Sequence, residues 1–159
     1  MNDTGMTLIV KNTTRLVTGF IAVFGVYVAL TGHLGPGGGF AGGVILAAAA
    51  ILIVLAFGRE GAFGMATEAK CHLWDGAGAL MFLVLALLGY FAGSFFYNFV
   101  NVMAAGRPVE NLHELASGGT IPLSNLAILA KVGGGLAGAF LALSVFRRHA
   151  GNREMGPWE

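Results

Sequence analysis

Charge is what this sequence has least of. Only 11% of its 159 residues are Asp, Glu, Lys or Arg, against roughly 25% in an ordinary soluble domain. The single cysteine, Cys71, excludes an internal disulfide and any four-cysteine metal or iron-sulfur centre within the chain. With a net charge of +1 and its basic residues scattered, the chain offers no surface suited to nucleic acid. HExxH, CxxC, a Walker lysine and a carboxylate pair on one helical face are all missing. Gly37, Gly39 and Gly42 formally match G-x-G-x-x-G, but a dinucleotide site needs a preceding strand in a βαβ unit, and here an apolar helix precedes it. The chain therefore carries no catalytic constellation, and neither a cofactor nor a metal is expected.

What it has is hydrophobicity: 56% of its residues are apolar, with a mean hydropathy of +0.76. A spanning helix takes about 20 mostly apolar residues. Four segments qualify, at about 16–31, 40–57, 77–100 and 121–146, the first extendable toward Met6 through Leu8, Ile9 and Val10. The expected fold is an all-α, integral membrane bundle of four transmembrane helices in a single domain over residues 1–159. A cleaved secretory signal is the rival reading of the N-terminus, because Lys11 and Arg15 precede an apolar stretch. It fails because Leu34, Pro36 and a second apolar helix stand where a small-residue cleavage site belongs.

Basic residues set the orientation. Both termini and the middle connection collect Lys11, Arg15, Arg59, Lys70, Arg147, Arg148 and Arg153, whereas the other side has only Arg107. The positive-inside rule then predicts N-in and C-in. The inner connection, 58–76, places Trp74 at an interface and Asp75 as a cap for the third helix. Phe91, Phe95, Phe96, Tyr97 and Phe99 suit the outer interface or a packing seam. In the outer connection Val109, Leu112, Leu115 and Ala116 have helical spacing against Glu110, Asn111, His113 and Glu114, so a short amphipathic helix is expected there.

Between the first two spans runs Gly32-His33-Leu34-Gly35-Pro36-Gly37-Gly38-Gly39-Phe40-Ala41-Gly42-Gly43, with seven glycines. Glycine lets backbones approach closely and proline fixes a turn, so the run predicts a tight, closely packed hairpin. Glycines four apart recur as Gly38 with Gly42, Gly39 with Gly43, Gly89 with Gly93, and Gly134 with Gly138. Such small-xxx-small faces dock helices in lipid.

Lys131 is the leading candidate for chemistry, because a lysine at the bilayer centre costs about 2.5 to 3.5 kcal/mol on insertion scales. The competing readings are a side chain that snorkels to the interface and one held in a structural ion pair. His33, at the mouth of the hairpin, is a candidate for proton exchange or else hydrogen-bonds the carbonyls of the turn. Glu110, His113 and Glu114 form either an acidic antechamber for cations or a solvated helix face.

The string GHLGPGGGFAGGVILA resembles the glycine-rich signature of the B-type subunit (MnhB-like, MrpB-like) of multisubunit Mrp cation/proton antiporters. It is similar, too, to the equivalent subunit of membrane-bound hydrogenases built on the same module. A second block, GGTIPLSNLAI over 118–128 with Lys131-Val132-Gly133, is similar to the start of the fourth helix in the hydrogenase-linked relatives. Dedicated antiporters of this family often carry an acidic residue near the position of Lys131. The resemblance implies a non-enzymatic, multi-pass subunit of a prokaryotic cell membrane. It would sit among other small Mrp-type subunits and beside large antiporter-like subunits similar to those of complex I, in a complex that moves Na+ and H+. Three functions follow: a subunit that helps shape the ion path of an antiporter, the same subunit in an energy-converting hydrogenase-type oxidoreductase, or a purely structural scaffold.

Overall fold

Four long helices account for most of the chain: α1 (Leu8–Leu30), α2 (Gly39–Gly61), α3 (Glu68–Phe91) and α4 (Ile121–Glu154). The computed structural model describes residues 6–61, 67–91, 93–98 and 118–154, with 59–61 and 145–154 described by backbone alone. Each helix contains a stretch long and apolar enough to cross a membrane, and no strand occurs among the described residues.

Two helices begin earlier than hydropathy predicts. The first starts at Leu8, taking Lys11 and Arg15 into its opening turns. A long basic side chain tolerates that position by laying its stem along apolar surface, and the Arg15 guanidinium lies 5.5 Å from the centre of the Phe57 ring. The third helix starts at Glu68, so Asp75 lies two turns inside it and does not cap it. Trp74 likewise stands on the helix rather than in a connection. At its other end α3 stops at Phe91, short of the predicted residue 100. The backbone becomes left-handed at Gly93 (φ 112°) and Phe96 (φ 59°), and the Phe96 N–H donates back to the Ala86 carbonyl at 3.4 Å. Phe96 is thereby laid against Phe82 and Phe95, with ring centres 5.2 and 4.9 Å apart. Phe95 and Phe96 thus pack back on α3, whereas Phe91 is exposed and Phe99 lies outside the described residues. In α2 the helical path breaks at Gly58 (φ 72°, ψ 168°).

The neighbours are α1 with α2, α2 with α4 and α4 with α3, so α4 occupies the centre. Its contacts with α2 advance in the same direction along both chains, whereas those with α3 run in opposite directions. Helices α2 and α4 are therefore parallel, and α1 and α3 antiparallel to them. The interior is built from small side chains, among them Ala29, Ala47, Ala127 and Ala137, and Leu141 is the largest fully buried one. Large apolar residues such as Phe20, Val23, Phe24 and Tyr27 point outward. This inside-out distribution suits lipid, where helices associate by close backbone packing and not by hiding apolar surface from water.

Candidate functional site

The hairpin closes at the end of α1. The Thr31 hydroxyl and N–H both donate to the Tyr27 carbonyl, at 2.8 and 3.0 Å, and the Leu34 N–H donates to the Thr31 carbonyl at 2.9 Å. Pro36 is exposed at the tip, and Gly37 and Gly38 follow at φ 149° and 102°. Those values suit glycine alone, and they turn the chain into α2 at Gly39. Phe40, on the first turn of α2, is exposed and points away from the bundle.

The glycines of this run then divide between two neighbours. A Cβ on Gly42 would meet the Gly25 carbonyl at 2.5 Å and the Ala29 Cβ at 3.0 Å, so Gly42 packs on α1. Gly39 and Gly43 pack on α4: a Cβ on Gly39 would collide with the Asn125 carbonyl, and one on Gly43 would come within 2.7 Å of the Val132 Cβ. The Asn125 side chain sits inside the turn, beside Gly32 and Gly38. The run is thus the junction of three helices. His33 lies half-buried at this junction with its ring against Gly118, where a Cβ would meet it at 2.9 Å. Asn98 fixes the other side of the same region. Its Oδ1 accepts from the Thr120 N–H at 3.0 Å, and its Nδ2 donates to the Gly118 carbonyl at 3.4 Å.

A second close approach joins α3 to α4. A Cβ on Gly78 would meet the Lys131 backbone nitrogen at 2.5 Å, one on Gly134 the Cys71 carbonyl at 2.7 Å, and one on Gly138 the Cys71 Cβ at 3.3 Å. Gly134 and Gly138 therefore lie against α3 at Cys71. Gly89 and Gly93 do not form a comparable face within this chain. Gly89 packs against the turn at Ser94 to Tyr97, and Gly93 lies beyond the helix with nothing within 4 Å of a Cβ.

Along this seam the Lys131 ammonium donates to Asp75 Oδ1 at 2.9 Å. Lys131 is ten residues into α4, about 15 Å along the axis of an apolar segment, Ile121–Ser144, that is roughly 36 Å long. Both side chains reach the outside of the isolated chain, with 52% and 38% of their areas exposed. The pair is therefore deep along the helix axis yet lateral in the bundle. So placed, the carboxylate and the ammonium satisfy one another across the seam between α3 and α4. Sequence reading singled out Lys131 but not its partner. Fifty-six residues separate the two, and no local spacing rule spans that distance. Glu110, His113 and Glu114 lie outside the described residues. Among the described residues no cluster of three His, Cys, Asp or Glu side chains could hold a metal ion.

Residues 9–138 match a family model described as a domain related to the MnhB subunit of the Na+/H+ antiporter. A Staphylococcus aureus protein named as a candidate antiporter subunit, mnhB2, is 31% identical over 137 residues, covering 86% of this chain and 94% of its own. An uncharacterized protein of Methanocaldococcus jannaschii is 36% identical over 126 residues, or 78% of this chain. The chain spans 47% of the length of that archaeal relative. Among solved structures, a chain of the membrane-bound sulfane sulfur reductase, an archaeal respiratory membrane complex, is similar with a TM-score of 0.71 and 33% identity. That match covers 88% of this chain and 59% of the other.

Proposed function

The chain belongs to the family of the MnhB subunit of Na+/H+ antiporters, and from that premise we propose that it is a non-catalytic subunit of a multisubunit Mrp-type cation/proton antiporter module. In this reading it lies in a prokaryotic plasma membrane with both termini inside. Its partners are other small membrane subunits and large subunits like those of complex I, and it helps form the path for Na+ and H+.

The observation that carries the proposal is the ion pair of Lys131 with Asp75. A charge kept within an apolar span is costly and marks a pathway more often than a packing device. Because both groups are partly exposed at the side of the isolated chain, they suit a path shared with a neighbouring subunit, since lipid offers them no hydrogen bonds. Asp75 supplies the negative charge that a travelling Na+ or proton needs, and Lys131 holds that charge until the ion arrives. His33 is a secondary candidate, at the hairpin end of the same helices. Glu110, His113 and Glu114 are proposed as a cation antechamber on the sequence alone. The glycine run and the Gly134 and Gly138 face serve packing.

A second reading, the same subunit in an energy-converting oxidoreductase of the membrane-bound hydrogenase kind, is favoured by the 33% identity to a chain of a respiratory complex. Purification of the tagged native complex, with identification of every co-purifying subunit, separates the two. Antiporter-like subunits alone support the first reading. Added metal-bearing redox subunits support the second, and recovery of this chain with no other membrane subunit contradicts both.

A further inference from the structure

One face of α4 carries charge that the described residues leave partly uncovered. The bond from the Lys131 ammonium to Asp75 Oδ1 is the only one that either side chain makes among those residues. Two N–H donors of Lys131 and the second carboxylate oxygen of Asp75 are left over, and both side chains reach the outside of the isolated chain. Lipid offers such groups neither donor nor acceptor. The pair lies about 15 Å along an apolar segment of roughly 36 Å, so this face is covered by something that forms hydrogen bonds.

The surface beside the pair says what kind of body that is. Lys131, Gly135 and Ala139 follow one another at four-residue spacing along α4, and Ala139 is exposed. A Cβ on Gly135 would meet only Asp75, at 3.6 Å, and Gly76, next to Asp75, is exposed with nothing within 4 Å of a Cβ. Such small residues admit the backbone of another helix at close range. A water-filled cleft would need further polar lining, and glycine and alanine supply none. Charge then narrows the choice of side chain. Lys131 and Asp75 already neutralise each other, so a third charge brought to them would stand unpaired in the membrane. The groups left over fit an uncharged side chain that accepts from the ammonium and donates to the carboxylate, as Asn, Gln, Ser and Thr do.

We propose that this face docks a transmembrane helix of another subunit, and that an uncharged polar side chain of that helix hydrogen-bonds both Lys131 and Asp75. The partner is a membrane subunit of the complex proposed above, on which reading this contact rests.

The test places a diazirine amino acid at Ala139 in the assembled complex, with the same probe at Gly76 as a second position on α3, and identifies the adducts by mass spectrometry. The expected adduct from Ala139 is on a transmembrane helix of another subunit that carries Asn, Gln, Ser or Thr at the level of Lys131, about eight residues away. Replacing that residue by Leu should lower the melting midpoint of the complex by a few degrees. In the background of Asp75→Leu with Lys131→Met it should lower it no further. A lipid adduct, an adduct on a second copy of this chain, or no adduct, as a water-lined face gives, overturns the proposal. So does a partner helix with a charged residue or only apolar residues at that level, or an equal loss in both backgrounds. Recovery of this chain with no other membrane subunit is a separate result, and it contradicts the multisubunit reading itself.

Discussion

The Lys131 ammonium and the Asp75 carboxylate meet at 2.9 Å across the seam between α3 and α4, and two glycines make that approach possible. Gly78 brings the backbone of α3 against the Lys131 nitrogen, and Gly134 brings α4 against Asp75. Any side chain at either position would push the helices apart, and with them the charges. Packing and electrostatics at this place are therefore one design: close backbones keep a short ion pair inside an apolar span.

Breaking the pair from one side should cost more than removing it. Asp75→Leu leaves an ammonium without its counter-charge, which costs about 2.5 to 3.5 kcal/mol at the centre of a membrane helix. The double variant Asp75→Leu with Lys131→Met replaces both groups by apolar ones of similar size, which is often neutral. Thermal melting of the detergent-solubilised complex should show a lowered midpoint for the single variant and most of the loss recovered in the double. A loss in the double variant equal to the sum of the losses in Asp75→Leu and Lys131→Met alone would mean that the two residues are energetically independent.

The glycine junction predicts a positional pattern. Gly39→Leu, Gly42→Leu and Gly43→Leu drive a side chain into backbone or Cβ atoms of α4 or α1. Gly38→Leu adds the strain of φ 102° beside Asn125. Each should cost at least the 1 to 3 kcal/mol typical of overpacking and remove the complex from a native gel. Gly19→Leu, where nothing lies within 4 Å of a Cβ, should assemble normally within this chain.

Asn98 is predicted to anchor the start of α4. Asn98→Ala removes the hydrogen bonds to the Thr120 N–H and the Gly118 carbonyl, at about 0.5 to 1.5 kcal/mol each. Hydrogen exchange at the Thr120 amide should rise by roughly tenfold or more, since 1.4 kcal/mol corresponds to a factor of ten. An unchanged rate would show that the helix start is held by other contacts.

Much of this arrangement is legible in the residues themselves. Four apolar stretches give four helices, and the seven glycines between the first two give a close-packed turn. Hydropathy misjudges the ends of α3 for two different reasons. Glu68 to Asp75 are polar enough to lower the average but form a good helix, and the halt at Phe91 depends on left-handed backbone at Gly93 and Phe96. Asp75 resembles a cap because a lone acid at the head of an apolar run usually is one. Its partner lies on another helix, and only the fold brings the two together. Gly89 and Gly93 share the spacing of Gly134 and Gly138 but serve a turn, because spacing alone does not say which face meets a neighbour.

The most direct test of the account is Na+/H+ exchange by the reconstituted complex carrying Lys131→Ala. Assembly should survive, at a lowered melting midpoint because Asp75 loses its counter-charge, since the Lys131 side chain is half exposed and fills no core position. Exchange should fall by about tenfold, the factor given by roughly 1.4 kcal/mol of lost charge stabilisation along the path. Unchanged exchange at full complex yield would contradict the claim that Lys131 and Asp75 serve ion transport.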